Sequence, residues 1–565
     1  MLVGAFRNSV DYIHKGFQKA KNLVTNLFQK KKIDPVELHS PGKARDKCGV
    51  FGIFSREDFK IGTSLSLGMN SIQNRGQDAC GCIYFNSKTG FSKPEYKVRD
   101  PDTKKGGLVN DLFYRDPQEH WQGQFAIGHT LYATSKTADD QIKPHPIVVG
   151  SGKDQIALVH NGNIPDTTKL KNFLLTEAKY SQKQIDKLND SGLMAHTIQH
   201  FYAKDQTHDL DKAIREAKKY FIGAYSIIVA AQDEMAVLRD PVGIRPLSLG
   251  RDKDGRLLVA SETHAFDVLG GEMLREIQPG ELLVVNNANV NNNFEAIEPT
   301  IIFEKTLNKL DMLEPIYIGK PQSKNYGKYN SQIRRECGKL LKEVFTKENP
   351  GVDLDFVVAV PQSGIPAATG FAEAMGLPIN PALVKNSHRR TFLDAQDASS
   401  DDKKARAKVR AKFALIKDAL RGKNIALVDD SIVRGTTSKE LVKYIREEAQ
   451  PASIHLLAAS PPLSYPDFYG IDMPNQKKLI AYRHKNRRKA IAKEIGADSV
   501  TYLDIGRFVK ALGVDRNGSE LSKTDGLYSI YLGESKMDRL DFHSAAAKKH
   551  AKTLAQNHNE YGIVA

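Results

Sequence analysis

The densest chemistry in the sequence lies in Ile425-Ala-Leu-Val-Asp429-Asp430-Ser-Ile-Val-Arg434-Gly435-Thr436-Thr437-Ser438. Its apolar start reads as a buried strand. That strand delivers two adjacent carboxylates to its C-terminal end, the edge where open α/β sheets bind ligands. A Gly/Thr-rich turn then opens a helix. Gly435 lets backbone approach closely, and the N–H groups and hydroxyls of Thr436, Thr437 and Ser438 can surround a phosphate at a helix N-terminus. The carboxylates would repel that phosphate, so they suit sugar hydroxyls or a hard cation such as Mg²⁺. The implied ligand is a sugar phosphate. No G-x-x-x-x-G-K-[ST] run occurs, which disfavours a P-loop NTPase.

A second constellation begins at Cys48, in Cys48-Gly-Val-Phe-Gly-Ile-Phe54. A lone cysteine on an apolar strand is ordinarily an inert small hydrophobe. Four downstream motifs change that reading: Asn74-Arg75-Gly76-Gln77-Asp78, Gly128-His129-Thr-Leu131-Tyr132, His160-Asn161-Gly162-Asn163 and Asn189-Asp190-Ser191.

Two kinds of framework must hold these groups. From Cys48 to about 295 the pattern is β-rich with helices. Short apolar runs at Gly49–Phe54, Gln124–Ile127, Ile156–Val159, Ser226–Ala231 and Leu257–Ala260 read as strands, with helical patterns near 167–178 and 191–203. From about 330 strands and helices alternate. Strands are expected at Phe356–Val360, Asn424–Val428 and Ser453–Ala458, and helices near 365–375 and Ser438–Glu448, which argues for a parallel sheet covered on both faces. The charged stretch 394–412 suits a mobile loop. The domain division expected is a basic leader at 1–47, a first domain at 48–295, a second at 296–540 and a peripheral basic tail at 541–565.

The 565 residues carry a net charge of +15, with 40% hydrophobic and 26% charged residues, which excludes collagen-like, mucin-like and wholly disordered classes. Four cysteines exclude a disulfide framework and point to a reducing compartment. No apolar run approaches the roughly 18–20 residues of a membrane span. Residues 1–47 hold ten Lys/Arg against four Asp/Glu. Val3, Phe6, Val10, Ile13, Phe17, Val24, Leu27 and Phe28 recur at helical spacing opposite Lys15, Lys19 and Lys21, forming a basic amphipathic helix over 1–33. Three roles fit it: an organelle presequence or surface-binding helix, a leader removed in maturation, or a helix packed on the body. A compact apolar h-region is absent, so a secretory signal is not expected.

The stretch 425–438 resembles the phosphoribosyl-pyrophosphate (PRPP) signature of type I phosphoribosyltransferases. Val360-Pro361-Gln362-Ser363-Gly364 resembles that family's pyrophosphate loop. Lys385-Asn386 through Arg390-Thr391-Phe392 resembles the hood that closes over PRPP and excludes water. The motifs beginning at Cys48 resemble the glutamine amidotransferase domain of the N-terminal-nucleophile class. Together the halves, over about 48–540, are similar to the amidophosphoribosyltransferase family. Arg239-Asp240-Pro-Val-Gly243-Ile244-Arg245, Ala260-Ser261-Glu262-Thr263 and Tyr469-Gly-Ile-Asp472-Met-Pro474 add further matches.

The resemblance implies an αββα N-terminal-nucleophile sandwich followed by an α/β phosphoribosyltransferase domain with a mostly parallel sheet. It implies that Cys48 becomes residue 1 by cleavage after Lys47, its thiolate attacking glutamine and its α-amine serving as base. Asn161 and Gly162 would form the oxyanion hole. Arg75, Gly76, His129 and Asp190 would bind glutamine. Lys385, Arg390, Asp429, Asp430 and Arg434 to Ser438 would bind PRPP, with Ser363, Asp429 and Asp430 at one Mg²⁺ per subunit. No iron–sulfur cluster is expected, since Cys80, Cys82 and Cys337 do not stand in that pattern. A homo-oligomer, tetrameric by resemblance, is implied. Nucleic acid is not expected as a partner, because the Lys/Arg content lacks interleaved aromatic platforms. Membrane contact is confined to 1–33. The location expected is cytoplasmic, with organellar targeting by the basic segment left open.

Several positions depart from the family pattern. Leu131 replaces the arginine that binds the glutamine α-carboxylate, and Asn74 replaces a histidine. Gly192 replaces a glutamate and Gln362 an acidic residue. Lys320-Pro-Gln322-Ser323 replaces Arg-Pro-Asp-Ser, and His388 replaces a tyrosine. A second reading follows from Leu131: a diverged paralogue that uses free ammonia or acts only in binding or regulation.

Overall fold

In the computed structural model the described residues are 48–100, 106–113, 120–132, 143–288, 299–304, 306, 309–386, 409–465, 467, 469, 476–513 and 527–528. The leader 1–47, the hood from residue 387 on with Arg390, and the tail 541–565 lie outside them.

The strand Gly49–Lys60 is apolar at successive positions over its first half, Gly49–Phe54, because both faces are buried there. Val50 and Phe54 turn to one side and Phe51 and Ile53 to the other, as the two-residue period of a strand requires. This strand is central in an antiparallel sheet, between Leu257–Ala260 and Gln122–Leu131, and Ala79–Asn86 pairs next beyond Gln122–Leu131. A second antiparallel sheet runs Leu282–Asn286, Glu234–Arg239, Ala224–Ala231, Ile156–Asn163, Ile147–Val149. Val50, Phe54, Ile127, Val159, Ile228 and Val237 fill the space between the sheets. Helix Ile61–Ser71 covers the first sheet through Leu65 and Met69. Helix Asp190–Lys204 covers the second through Leu193, Met194 and Ile198. The result is the four-layer αββα arrangement that the resemblance implies.

In the C-terminal half four parallel strands run in the order Phe356–Ala359, Asn424–Asp429, Ser453–Ala458, Ser499–Tyr502. Ile425 and Leu427 face the helices Thr436–Ala449 and Arg488–Ile495. Ala426 and Val428 face Asn330–Glu348, Ile365–Met375 and Ile505–Leu512. Covering on both faces explains why these strands read as unbroken apolar runs. Among the described residues no helix is long and apolar enough to cross a membrane.

Candidate active site

Cys48 is half-buried at the start of the central strand, with its Sγ 3.9 Å from the Tyr132 carbonyl. The register pairs Gly49 with Thr130 and Val50 with His129. Continued by one residue it sets Cys48 beside Leu131, with Val50 next on the same, inter-sheet side. Ser261 ties this strand to the other sheet. Its Oγ accepts the Val50 N–H at 3.1 Å, its own N–H donates to the Val50 carbonyl, and the Asn161 side-chain amide reaches its Oγ at 3.4 Å. Asn161 and Gly162 thus sit across from the strand that follows Cys48. Gly162 has φ +149°, and a Cβ there would lie 2.1 Å from the Ala224 carbonyl oxygen, so only glycine fits. Gly76 lies against the backbone of Thr130 and Leu131. Asp190 opens the helix Asp190–Lys204 just after Asn189, which caps it by accepting the Gly192 N–H. Asp190 accepts the backbone N–H groups of Ile164 and Ser191 and stays partly open to solvent.

Two expected glutamine contacts have other occupations. His129 is fully buried, its Nε2 2.8 Å from the His160 carbonyl. It therefore stands behind the site. Arg75 is also buried, its Nε 2.7 Å from Glu262 and its other nitrogens on Glu314 at 2.6 and 3.3 Å. Burial opposes its charge, yet the two carboxylates hold its pKa above the ordinary arginine value. Its guanidinium is a structural tie, not a pocket cation.

That tie extends across the molecule. Arg245 reaches Asp311 at 3.0 Å and Glu314 at 3.3 Å and donates to the Tyr469 carbonyl. Glu262 also accepts the Asn74 side-chain amide and the Lys320 N–H. Glu314 is therefore shared by two buried arginines from the N-terminal half and lies in the segment that leads to the helix Asn330–Glu348. Removing one member of a buried ion network leaves charge uncompensated and typically costs about 3–5 kcal/mol. Glu314→Gln, which keeps the volume, is expected to lose that much, read as a lowered urea midpoint.

The imidazoles around His160 set a pH dependence. Burial lowers the pKa of His129 to about 3, that of His145 well below 6.5, and that of His160 as well. Unfolded histidines titrate near 6.5, so below that pH the unfolded chain binds more protons and stability falls as pH drops. His129 alone accounts for about 3 kcal/mol between about pH 6.5 and 4.5. Burial raises Asp240 to about 6, which works in the opposite sense over about pH 3.8–6 and offsets roughly one of the three histidines. Acidification from pH 7 to 5 is expected to lower the urea midpoint, whereas His145→Gln should flatten that slope.

At the second centre Asp429 ends the strand Asn424–Asp429, and its Oδ1 accepts the Asp430 N–H at 2.9 Å. The Ser431 hydroxyl donates to Asp430 at 2.6 Å. Gly435 then turns with φ +78° and precedes the helix Thr436–Ala449, whose N-terminus has no side-chain cap. A side chain at Gly435 would strike Ile480, 2.4 Å from its Cβ. Arg434, Thr437 and Ser438 line the same turn. The loop after Phe356–Ala359 includes a cis Pro361–Gln362 peptide, holds Ser363, and packs Gly364 against Asp429. Lys385 Nζ lies 3.5 Å from the Gln362 side chain. The two carboxylates, the loop at 360–364, Lys385 and an uncapped helix N-terminus thus meet at one sheet edge.

A family model for a glutamine amidotransferase domain matches residues 133–268. The amidophosphoribosyltransferase of Bacillus subtilis is 34% identical over 473 residues, 83% of this chain and 90% of its own length. The chain belongs to the amidophosphoribosyltransferase family. That of Methanothermobacter thermautotrophicus is also 34% identical, over 491 residues, 86% of this chain and 95% of its own. The solved glutamine PRPP amidotransferase from B. subtilis, complexed with ADP and GMP, matches with TM-score 0.69 and 32% identity, covering 84% of this chain and 94% of that one. Membership in the amidophosphoribosyltransferase family accounts for two such different centres in one chain.

Some residues that build the site had no assigned role in the sequence. Ser261 and Glu262 lie in a recognised motif, as does Arg245, but their partners are about 70 to 210 residues away. Glu314 and His145 lie in no motif. Cys80, Cys82 and Cys337 are buried thiols whose pKa values burial pushes up.

Proposed function

We propose that the chain makes 5-phosphoribosylamine from glutamine and PRPP, the first committed step of purine synthesis. The observation that carries this reading is one chain holding both a cysteine at a strand start, with Asn161 and Gly162 on the strand across from it, and a cluster of carboxylates, hydroxyls and a helix N-terminus at a parallel sheet edge.

The Cys48 thiolate attacks the glutamine carboxamide carbon. The Cys48 α-amine, freed by cleavage after Lys47, takes the thiol proton and passes it to the departing ammonia. The developing oxyanion is held by the Asn161 side-chain amide and the Gly162 N–H, each such donor worth about 2.7–4 kcal/mol in comparable sites. Water hydrolyses the thioester to glutamate. Asp190, partly exposed beside the end of the strand that carries Asn161 and Gly162, pairs with the substrate α-ammonium, and Gly76 shapes the pocket wall. Ammonia then attacks the ribosyl carbon of PRPP and pyrophosphate leaves. Asp429 and Asp430 hold the ribose hydroxyls, Arg434 to Ser438 the 5′-phosphate, and Lys385 with the loop at 360–364 the diphosphate. Arg390 belongs to the same reading, outside the described residues.

Mg²⁺ commonly uses one or two carboxylates and takes its remaining ligands from substrate phosphates and water. Adjacent Asp429 and Asp430 beside Ser363 fit that donor set. Bound there, the ion would neutralise diphosphate charge. The reading also includes a homo-oligomer, tetrameric by resemblance, and a cytoplasmic location. Leu131 leaves the glutamine α-carboxylate without the family's guanidinium. Ammonia-only use remains the second reading, although the relatives carry the coupled activity in their names. Pyrophosphate release from PRPP, measured with glutamine and with ammonium, tests the function. Both sources should work, whereas release with ammonium alone supports the second reading.

A further inference from the structure

We propose that His129 is a positioning residue of the glutaminase centre, which fixes the peptide that leads into Asn161 and Gly162 at the end of their strand and does not touch glutamine. The inference rests on the function proposed above.

His160 stands one residue before Asn161, on the strand Ile156–Asn163. One edge of that strand pairs with Ala224–Ala231 through this point, His160 opposite Ile227. The other edge loses its neighbour, because Ile147–Val149 stops pairing at Leu158, two residues short of His160. In a ladder the N–H and C=O of one residue point to the same side, so both groups of His160 face the missing strand. Two imidazoles take its place. His145 Nδ1 accepts the His160 N–H at 3.2 Å, and His129 Nε2 meets the His160 carbonyl at 2.8 Å. The two rings stack with centroids 4.3 Å apart and planes 28° apart. The His160 ring is anchored as well, its Nδ1 2.9 Å from Ser191 Oγ.

A carbonyl only accepts, so the proton of His129 sits on Nε2 and Nδ1 is bare. That Nδ1 is buried and has no hydrogen-bond partner. A cation there would bury an N–H with no acceptor, and burial keeps the ring neutral. The carbonyl that His129 grips belongs to the same peptide plane as the Asn161 N–H. His129 is also directly opposite Val50, two residues from the nucleophile. One ring therefore links the strand beside the nucleophile's to the strand that carries Asn161 and Gly162, and it sets the distance between the two sheets there. Small misplacements of reacting groups cost rate steeply, up to about 10²-fold per ångström.

Oxyanion donors act in the transition state, so displacing them lowers kcat without altering KM. The test compares His129→Leu and His129→Gln with the unsubstituted chain, using glutamine or ammonium as nitrogen source with PRPP. In His129→Leu, kcat with glutamine should fall about 10²-fold with KM for glutamine within about threefold. Gln retains an N–H donor near the position of Nε2, so His129→Gln should recover to within about tenfold of the parent. Ammonium-supported synthesis reports that each variant folds. If His129→Leu loses that synthesis too, the Gln variant decides alone, because recovery supports the role and a 10²-fold kcat loss overturns it. A raised KM with unchanged kcat, or a Gln variant no better than Leu, also overturns it. The parent run alongside with glutamine tests the functional reading itself, so the two failures are told apart.

Discussion

Cys48→Ala is expected to lower glutamine-supported phosphoribosylamine synthesis by at least about 10³-fold and to leave ammonium-supported synthesis within about twofold of the parent. The asymmetry follows from the placement of the two centres. Cys48 lies at the head of an antiparallel strand beside the Tyr132 carbonyl, and Val50 two residues on is held by Ser261. None of the described residues proposed to hold PRPP belongs to that sheet. Free ammonia enters the second reaction directly and has no use for the thiol. Loss of the ammonium reaction as well would show that Cys48 supports the fold or the second centre, and the nucleophile assignment would fail.

Asp429→Asn is expected to have the converse pattern, with both nitrogen sources failing together. The side chain ends the strand that carries the cradle, and its Oδ1 orients the next residue by accepting the Asp430 N–H. Asparagine keeps the shape and removes the charge that would hold ribose hydroxyls and a metal-bound diphosphate. Charge-assisted hydrogen bonds are roughly twice as strong as neutral ones, and losing such stabilisation in a preorganised site costs about 10²–10³ in rate. Asp430→Asn should match it. The double variant should fall well short of the product of the two, because residues acting as a unit are not additive. Pyrophosphate release with saturating ammonium is the readout. A variant that keeps parental kcat and KM for PRPP would remove the carboxylates from the site.

Much of this was legible in local pattern. Leu257–Ala260 and Ser453–Ala458 were read to the residue, because turn residues bound short apolar runs whose two faces are both buried. Helix Thr436–Ala449 begins two residues earlier than its spacing suggests, since Thr436 and Thr437 carry hydroxyls and not apolar groups. Strand Ala79–Asn86 gave no comparable signal. Its Cys-Gly-Cys start has neither alternation nor branched residues, and Gly81 is there because a Cβ would meet the His145 carbonyl 2.4 Å away. The roles of His129 and Arg75 were beyond local reading for a different reason. Both residue types are ordinary ligands for a charged amino acid, and what redirects them is burial beside partners far along the chain, His160 for one and Glu262 and Glu314 for the other. Spacing cannot report a pair separated by 239 residues. The motifs show which residues gather, and the packing shows that His129 and Arg75 are engaged by buried partners.

The central claim is that nitrogen is released by a cysteine whose own α-amine is free. The most direct measurement is the intact and peptide mass of catalytically active protein after reaction with an electrophilic glutamine analogue. The expected result is a single adduct on a peptide that begins at Cys48, with loss of glutamine-supported but not ammonium-supported synthesis. Fully active protein that still carries residues 1–47, or an adduct on any other residue, would contradict it.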